Sequence, residues 1–161
     1  MFSQNRTVLL WAALLLLGVL SPLLHADNSH KKLDVISAQG DRLMTIPLPD
    51  EGSWCLLWNH SVAGFTVSDC FVTKRNLMLL SSSHQPDFAA GLGHELGRGN
   101  LVSDGDGGYI ITQINEPIPN NALPLRVGSM AVNHRVLVKD QEISLSTVAA
   151  GQRVTLRLTQ P

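Results

Sequence analysis

His60, Ser61 and Asp69 are the residues of this chain whose types could together do acid–base chemistry. A nucleophilic hydroxyl, a histidine base and an orienting carboxylate make up the triad of many hydrolases. Successive side chains of a strand point to opposite faces, so His60 and Ser61 do not pair unless a turn begins between them. The pattern leaves His60 and Asp69 as weak catalytic candidates for a small hydrolase. The alternative for His60 is a strand-end residue whose ring nitrogens bond to loop backbone.

A second polar group lies in a glycine-rich segment and could bind a metal ion. His84, Asp87, His94 and Glu95 lie within twelve positions, and imidazole and carboxylate groups are ligands that suit zinc. No His-Glu-x-x-His pattern is present, so His84, His94 and Glu95 are weak metal candidates, and a solvated polar loop is the alternative. The glycines at 91–97 lack the strand-then-helix context of a nucleotide-binding loop. The sequence predicts no cofactor.

Residues 54–72 are typical of a β-hairpin that contains both cysteines. A four-residue loop at 61–64 places Cys55 opposite Cys70. Opposed Cβ atoms on paired strands lie about 4.5–5.5 Å apart, slightly wide of the usual disulfide separation but closer in pairs that are not hydrogen-bonded. This register allows a cross-strand disulfide. A slip of one residue in the turn would abolish it, and two small buried hydrophobic side chains are the alternative.

The same register separates His60 from Asp69. Asp69 falls opposite Leu56, four positions along the strand from His60, which is about 13 Å and too far for a hydrogen bond. Trp54 and Trp58 are also four positions apart, so both point to the same face of their strand. They either line a ligand site or seal the core, which is the commoner outcome.

Short strands separated by turns follow one another through the body of the chain, and no segment after residue 26 sustains the period of a helix over three turns. In the last strand, Val154, Leu156 and Leu158 alternate with polar residues, which is typical of a half-buried strand. The pattern predicts one all-β domain, residues 33–160, that folds as an antiparallel β-sandwich or a partly closed barrel. The predicted strands are Leu33–Ala38, Arg42–Leu48, Trp54–His60, Phe65–Thr73, Leu77–Ser82, Tyr109–Asn115, Leu125–Val127, Ala131–Val138, Glu142–Thr147 and Arg153–Thr159.

The first residues predict export from the cytoplasm. Arg6 precedes an unbroken apolar run, Val8–Leu20, and Ala26 offers a small residue to a signal peptidase before polar Asp27. A positive start, an apolar run of this length and a small residue at the cut are typical of a secretory signal, so residues 1–26 are predicted to be removed. The alternative is an uncleaved membrane anchor, which needs about 20 apolar residues. Either form places the body outside the cytoplasm, with the bacterial periplasm as the expected compartment.

The charge balance argues against nucleic acid as a partner. Removal of residues 1–26 takes away one basic residue and no acidic one, which leaves 11 basic against 13 acidic residues. A chain with no basic excess has no overall attraction for nucleic acid or an anionic membrane. The two cysteines fit an oxidising compartment, where disulfides persist.

Five short segments give the chain a resemblance to a bacterial family. They match in order the family's patterns H-S-V, V-x-E-x-F, F-G-A-G-L-P, L-R-V-G and G-x-x-V. The chain resembles domain-of-unknown-function family 1850, which is often encoded beside TAXI-type tripartite (TRAP) transporters. The resemblance implies an exported β domain that accompanies solute uptake. The matching residues are His60-Ser61-Val62; Val67, Asp69 and Phe71; Phe88 to Leu92; Leu125-Arg126-Val127-Gly128; and Gly151 to Leu158.

The chain departs from that pattern at several positions. Ala63 and Gly64 stand where the family often has a charged pair, so a charge-dependent role of this loop is in doubt here. Asp69 replaces the usual glutamate and keeps a carboxylate. Gly93 stands where the family has a proline.

These observations favour an exported, non-enzymatic accessory or binding domain whose partner is a transporter membrane subunit or a small solute. Loops on a rigid β scaffold commonly carry binding sites, so the hairpin tip and the glycine-rich loop form the candidate surface. A histidine- or metal-dependent hydrolase and a purely structural periplasmic module are the alternatives. The candidate binding residues are His60, Ser61, Val62, Phe88, Gly91, Leu92, His94 and Arg126.

Overall fold

A computed structural model of the chain describes residues 31–87 and 97–160. Within these ranges the chain forms twelve strands and two short helical segments. They are, in chain order, β1 Lys32–Ser37, β2 Arg42–Pro47, β3 Trp54–Asn59, β4 Thr66–Lys74, β5 Leu77–Gln85, β6 Asn100–Ser103, β7 Tyr109–Thr112, β8 Glu116–Pro117, a 3₁₀ helix Pro119–Asn121, β9 Ala122–Arg126, β10 Arg135–Val138, β11 Gln141–Ser144, helix α1 Ser146–Ala149 and β12 Arg153–Thr159.

The strands form two antiparallel sheets. The four-stranded sheet has the order β2-β1-β12-β9, and the eight-stranded sheet has the order β11-β10-β3-β4-β5-β7-β6, with β8 paired to β5. Among the described residues neither sheet closes on itself. The predicted all-β antiparallel sandwich is confirmed, and the described strands form no closed barrel.

The core lies between the two sheets. The alternating residues of β12, Val154, Leu156 and Leu158, are all buried and pack in one cluster with residues of the eight-stranded sheet such as Leu56 and Phe71. Alternation with a period of two buries one face of each strand and leaves the other outside. The two inward faces therefore make the sandwich.

The predicted hairpin register is confirmed. Strands β3 and β4 pair with Cys55 opposite Cys70, and their sulfur atoms form a disulfide with a Cα–Cα distance of 4.0 Å. A backbone hydrogen bond joins the His60 N–H to the Phe65 carbonyl and closes the four-residue loop. The disulfide therefore links β3 to β4 at the centre of the larger sheet.

The observed strands differ from the predicted ones at several places. Strand β6 follows the glycine-rich segment and was not among the predicted strands, and β5 continues three residues beyond the predicted end, to Gln85. Residues 146–149 form a short helical turn instead of the end of a strand. Pro124 lies inside β9, which is an edge strand of its sheet and therefore tolerates a residue without an N–H donor.

The described residues contain no helix that is long and apolar enough to cross a membrane. The predicted signal segment, residues 1–26, lies outside them.

Candidate functional site

The His60 side chain organises the tip of the β3–β4 hairpin. Its Nδ1 atom accepts hydrogen bonds from the backbone N–H groups of Val62 at 3.3 Å and Ala63 at 3.1 Å. Its ring stacks on Phe65, with ring centroids 5.1 Å apart. These contacts hold the loop closed and leave the Val62 side chain 90% exposed at the tip. The ring is therefore occupied in building the turn that displays Ser61 and Val62.

The two weak catalytic candidates are not brought together. Asp69 pairs with Leu56 in the middle of the hairpin, whereas His60 lies at its end. The four intervening positions correspond to about 13 Å along the strand. The geometry supports no direct hydrogen bond between His60 and Asp69.

Asp69 instead faces a small cavity on the core side of the eight-stranded sheet. It pairs with Ser83 of β5, which pairs in turn with Ile111 of β7, while Gln85 pairs with Tyr109. Directly opposed residues share a face of a sheet, so these five side chains lie on the same side. They enclose a cavity of about 100 Å³. The lining is completed by Trp58, Leu80 and Arg98.

A β-bulge decides which residues of β5 reach this cavity. The register between β4 and β5 shifts by one residue between Cys70 and Phe71. A shift of one residue exchanges the two faces of a strand. Without the bulge, Ser82 and His84 would share the face of Asp69. With the bulge, Ser83 and Gln85 do so.

The cavity holds polar groups that are mostly shielded from solvent. Ser83 is 8% exposed and Gln85 is 7% exposed. The Gln85 amide Nε2–H donates to the Ser83 hydroxyl at 3.4 Å, and that hydroxyl hydrogen-bonds to the Asp69 carboxyl group. The Ser83 hydroxyl therefore interacts with both the Gln85 amide and the Asp69 carboxyl group.

Burial raises the pKa of the Asp69 carboxyl group above its ordinary value. The hydrogen bond from Ser83 and the positive charge of Arg98 oppose this effect but do not cancel it. Arg98 is itself paired with Glu116 at 3.0 Å, so its charge is shared. Ionised Asp69 is therefore short of compensating positive charge. A carboxyl group with a raised pKa in a cleft is a physical mark of a functional site.

The two tryptophans of β3 have different places. Trp54 is 3% exposed and stacks on Phe71 in the core, with ring centroids 4.3 Å apart. Trp58 lines the cavity and stacks on His134, with ring centroids 6.0 Å apart. The sequence had left core packing and a ligand site open for the pair. Trp54 packs in the core, whereas Trp58 packs against the core cluster and also lines the cavity.

His134 supports Trp58 from behind as a neutral ring. Its Nδ1 atom accepts the Gly128 N–H at 2.9 Å, and burial lowers its pKa. A Cβ atom on Gly128 would lie 2.6 Å from the Val132 side chain, so the glycine is needed for this close packing. The supporting position of His134 depends on contacts that no local pattern reveals.

His84 lies on the opposite face of the sheet from the cavity, because it neighbours Ser83 along β5. It bonds to Asp104 at 2.9 Å, and this bond, followed by the backbone N–H groups of Asp106 and Gly108, lowers the pKa of Asp104. The described residues hold no cluster of three or more His, Cys, Asp or Glu side chains that could bind a metal ion.

Among the other candidate residues, the structure describes Arg126, which does not line the cavity. Arg126 is exposed on the four-stranded sheet, opposite Arg153. Phe88, Gly91, Leu92, His94 and Glu95 lie outside the described residues.

A larger groove of about 750 Å³ lies between residues 47–51 and 138–141. It is more open than the Asp69 cavity, and each polar residue that lines it is exposed. Its carboxylates are therefore hydrated in the free protein. The Asp69 cavity is the better candidate because Ser83 and Gln85 in its lining are already shielded from water.

Comparison with known proteins places the chain in a family. Searches of curated proteins and of solved structures give no significant match. The sequence model of one family, described as "Domain of unknown function (DUF1850)", matches residues 55–145. This range includes the hairpin, the cavity and the support around Gly128. The chain therefore belongs to the DUF1850 family.

Proposed function

We propose that the chain is an exported binding domain that holds the cationic or hydrogen-bond-donating group of a small solute at Asp69. The observation that carries this proposal is the enclosed cavity with a shielded carboxyl group of raised pKa. Asp69 is the acidic residue of the motif through which the sequence resembles its family. The proposal thus gives that position a chemical reason to be acidic.

The cavity favours a positively charged group over an anion. An ionised carboxylate in a shielded site is costly unless an opposite charge or donors accompany it. An ammonium group beside Asp69 would supply that charge, and the Trp58 ring that lines the same cavity would attract it through its π face. Leu80 and Ile111 provide an apolar wall that suits the carbon next to the nitrogen.

The size of the cavity limits what enters it. A volume of about 100 Å³ corresponds to roughly three water molecules at about 30 Å³ each. A methylammonium-sized group fits this space and a whole drug-sized ligand does not. The rest of a larger solute would have to lie outside.

Export and association with a TRAP-type membrane subunit complete the proposal. The apolar leader supports export, and the Cys55–Cys70 disulfide agrees with an oxidising compartment. The transporter partner is supported by the genomic neighbourhood that the resemblance implies. The domain would then present a solute, or sense it, next to the membrane subunit.

Ligand titration of wild-type protein and two variants tests the solute site. Methylammonium, ethanolamine and glycine are added while thermal unfolding is followed, with Asp69→Asn as the test and exposed Asp140→Asn as the matched control. We expect an amine to raise the melting temperature of the wild type and of Asp140→Asn but not of Asp69→Asn. The affinity should fall as the pH falls through the pKa of Asp69, because a protonated carboxyl group cannot pair with a cation.

Equal stabilisation of Asp69→Asn, or none of any protein, would overturn the site. Purification from membranes in mild detergent tests the partner separately: recovery of a transporter membrane subunit supports the association. Recovery of that subunit without any amine binding would favour the structural module instead.

A further inference from the structure

The basic residues of this chain are concentrated on one sheet. The strands of the four-stranded sheet carry five basic residues and a single acidic one, Asp34, whereas the rest of the described chain carries six basic and ten acidic residues. Overall charge conceals this separation, because the whole chain has a net charge of −1. The domain is therefore electrically asymmetric.

The five basic side chains lie on the outward face of that sheet. On β12, Val154 and Leu156 enter the core, so Arg153 and Arg157, which alternate with them, point outward. Directly opposed residues share a face of a sheet, so the basic residues of the neighbouring strands, which lie in the same rows, also point outward. All five basic residues are exposed: Lys32, Arg42, Arg126, Arg153 and Arg157.

The one carboxylate on this face does little to neutralise it. Asp34 is 7% exposed and accepts hydrogen bonds from the hydroxyl groups of Thr45 at 2.6 Å and Thr159 at 3.2 Å. Arg42 approaches it at 3.9 Å. Asp34 is thus engaged within the sheet, and the outer surface keeps an excess of positive charge.

Two of the arginines form a like-charged pair beside a depression in the sheet. Arg126 and Arg153 are directly opposed on β9 and β12, and like charges in this arrangement destabilise a sheet. Within residues 31–87 and 97–160 neither arginine has a carboxylate at ion-pair distance. A cleft of about 330 Å³ is lined by both, together with Pro124 and Thr155.

We propose that this basic face docks on the surface of an anionic phospholipid bilayer, with a headgroup phosphate between Arg126 and Arg153. The positive side chains are spread over all four strands instead of converging on one point, which suits a surface of many headgroups. A phosphate between the two arginines would relieve their repulsion through charge-assisted bonds.

The position of the sheet in the chain agrees with this occupant. Its first strand begins at Lys32, twelve positions after Leu20, the last residue of the apolar run. Twelve extended residues span at most about 43 Å. While the leader is held by the membrane, this sheet is therefore tethered within that distance of the bilayer.

Vesicle binding tests the proposal. The exported chain is mixed with vesicles of phosphatidylglycerol and phosphatidylcholine, or of phosphatidylcholine alone, and the bound fraction is measured by sedimentation. Each basic residue near an anionic surface strengthens binding about fivefold, so Arg126→Gln/Arg153→Gln should bind about 30-fold more weakly. The matched control, Arg75→Gln/Lys139→Gln, removes two exposed charges from turns of the other sheet and should bind as the wild type does. Binding to the anionic vesicles should also weaken steeply as salt is added.

Four outcomes would overturn the proposal. They are no binding to the anionic vesicles, an equal loss of binding in both double variants, equal binding to neutral vesicles, and binding of inorganic phosphate at Arg126 and Arg153 without vesicle binding. Equal binding to neutral vesicles would show retention by the leader instead. Because removal of a like-charged pair does not weaken the sheet, the test variant should melt no lower than the wild type. A thermal scan of each variant therefore verifies that lost binding does not reflect unfolding.

Discussion

Loss of the Cys55–Cys70 disulfide should destabilise the domain by an amount that follows from its position in the chain. The bond joins residues 15 positions apart, and closing a loop of this length restricts the unfolded chain by about 3 kcal/mol at 25 °C. A folded body of about 130 residues unfolds with an entropy of about 0.27 kcal/mol/K. The melting temperature should therefore fall by about 11 °C when the bond is reduced.

Thermal unfolding of the same protein with and without a reductant measures this effect. Oxidised and reduced wild type differ only in the bond, so the comparison excludes packing changes that a substitution brings. Cys55→Ala/Cys70→Ala is the control, and its melting temperature should not respond to the reductant. A shift below about 3 °C in the wild type would refute the reasoning, because it would mean that the hairpin already restricts the unfolded chain or that the two sulfur atoms are not joined.

Three further substitutions test the site and its supports. Asp69→Asn should raise the melting temperature at pH 7 by about 4 °C, for about 1 kcal/mol, since burial raises the pKa of Asp69 and so penalises its charge in the folded state. This stability advantage should shrink as the pH falls through the folded-state pKa and vanish below the ordinary aspartate pKa, where the folded and unfolded states both hold the proton. Thermal melts between pH 7 and pH 3 measure the advantage. A variant less stable than the wild type at pH 7 would contradict the prediction. His60→Ala should lower the free energy of unfolding by about 1 kcal/mol, because two loop N–H groups lose their acceptor. His60→Asn, whose side chain can accept such bonds, should lower it by less in denaturant titrations. Equal losses of stability would argue against this role of the ring nitrogen. Gly128→Ala should cost about 1–3 kcal/mol through the clash with the Cβ and Cγ1 atoms of Val132. The same assay should show that Val132→Gly, which removes both atoms, recovers part of that loss, whereas simple addition of the two losses would count against the clash.

The sequence predicts the fold well because the relevant signals are local. Alternation along Arg153–Thr159 identifies a strand with one buried face, and the length of the 61–64 loop fixes the pairing of Cys55 with Cys70. Strand β6 was not predicted, because the residues around it are rich in glycine and its own four residues are all exposed. A strand that packs no side chain into the core gives no alternation to recognise.

The candidate site is harder to predict because it depends on distant pairings. Asp69 stood out as a carboxylate in a motif, but its partners Ser83 and Gln85 reach the cavity only through a β-bulge. A bulge adds one residue to a strand and leaves no mark in side-chain composition, so alternation alone cannot say which face Ser83 takes. His60, the histidine of the motif, was a candidate base, whereas in the structure its ring nitrogen accepts the hydrogen bonds that close the hairpin turn.

The most direct test of the Asp69 site is an NMR titration of its carboxyl carbon, assigned by comparison with Asp69→Asn, in the absence and presence of methylammonium. The account predicts a pKa above the ordinary aspartate value in the free protein, and a fall in that pKa when the amine binds. An ordinary pKa in the free protein, or a raised pKa that does not respond to the amine, would contradict the claim that Asp69 forms a site for a cationic group.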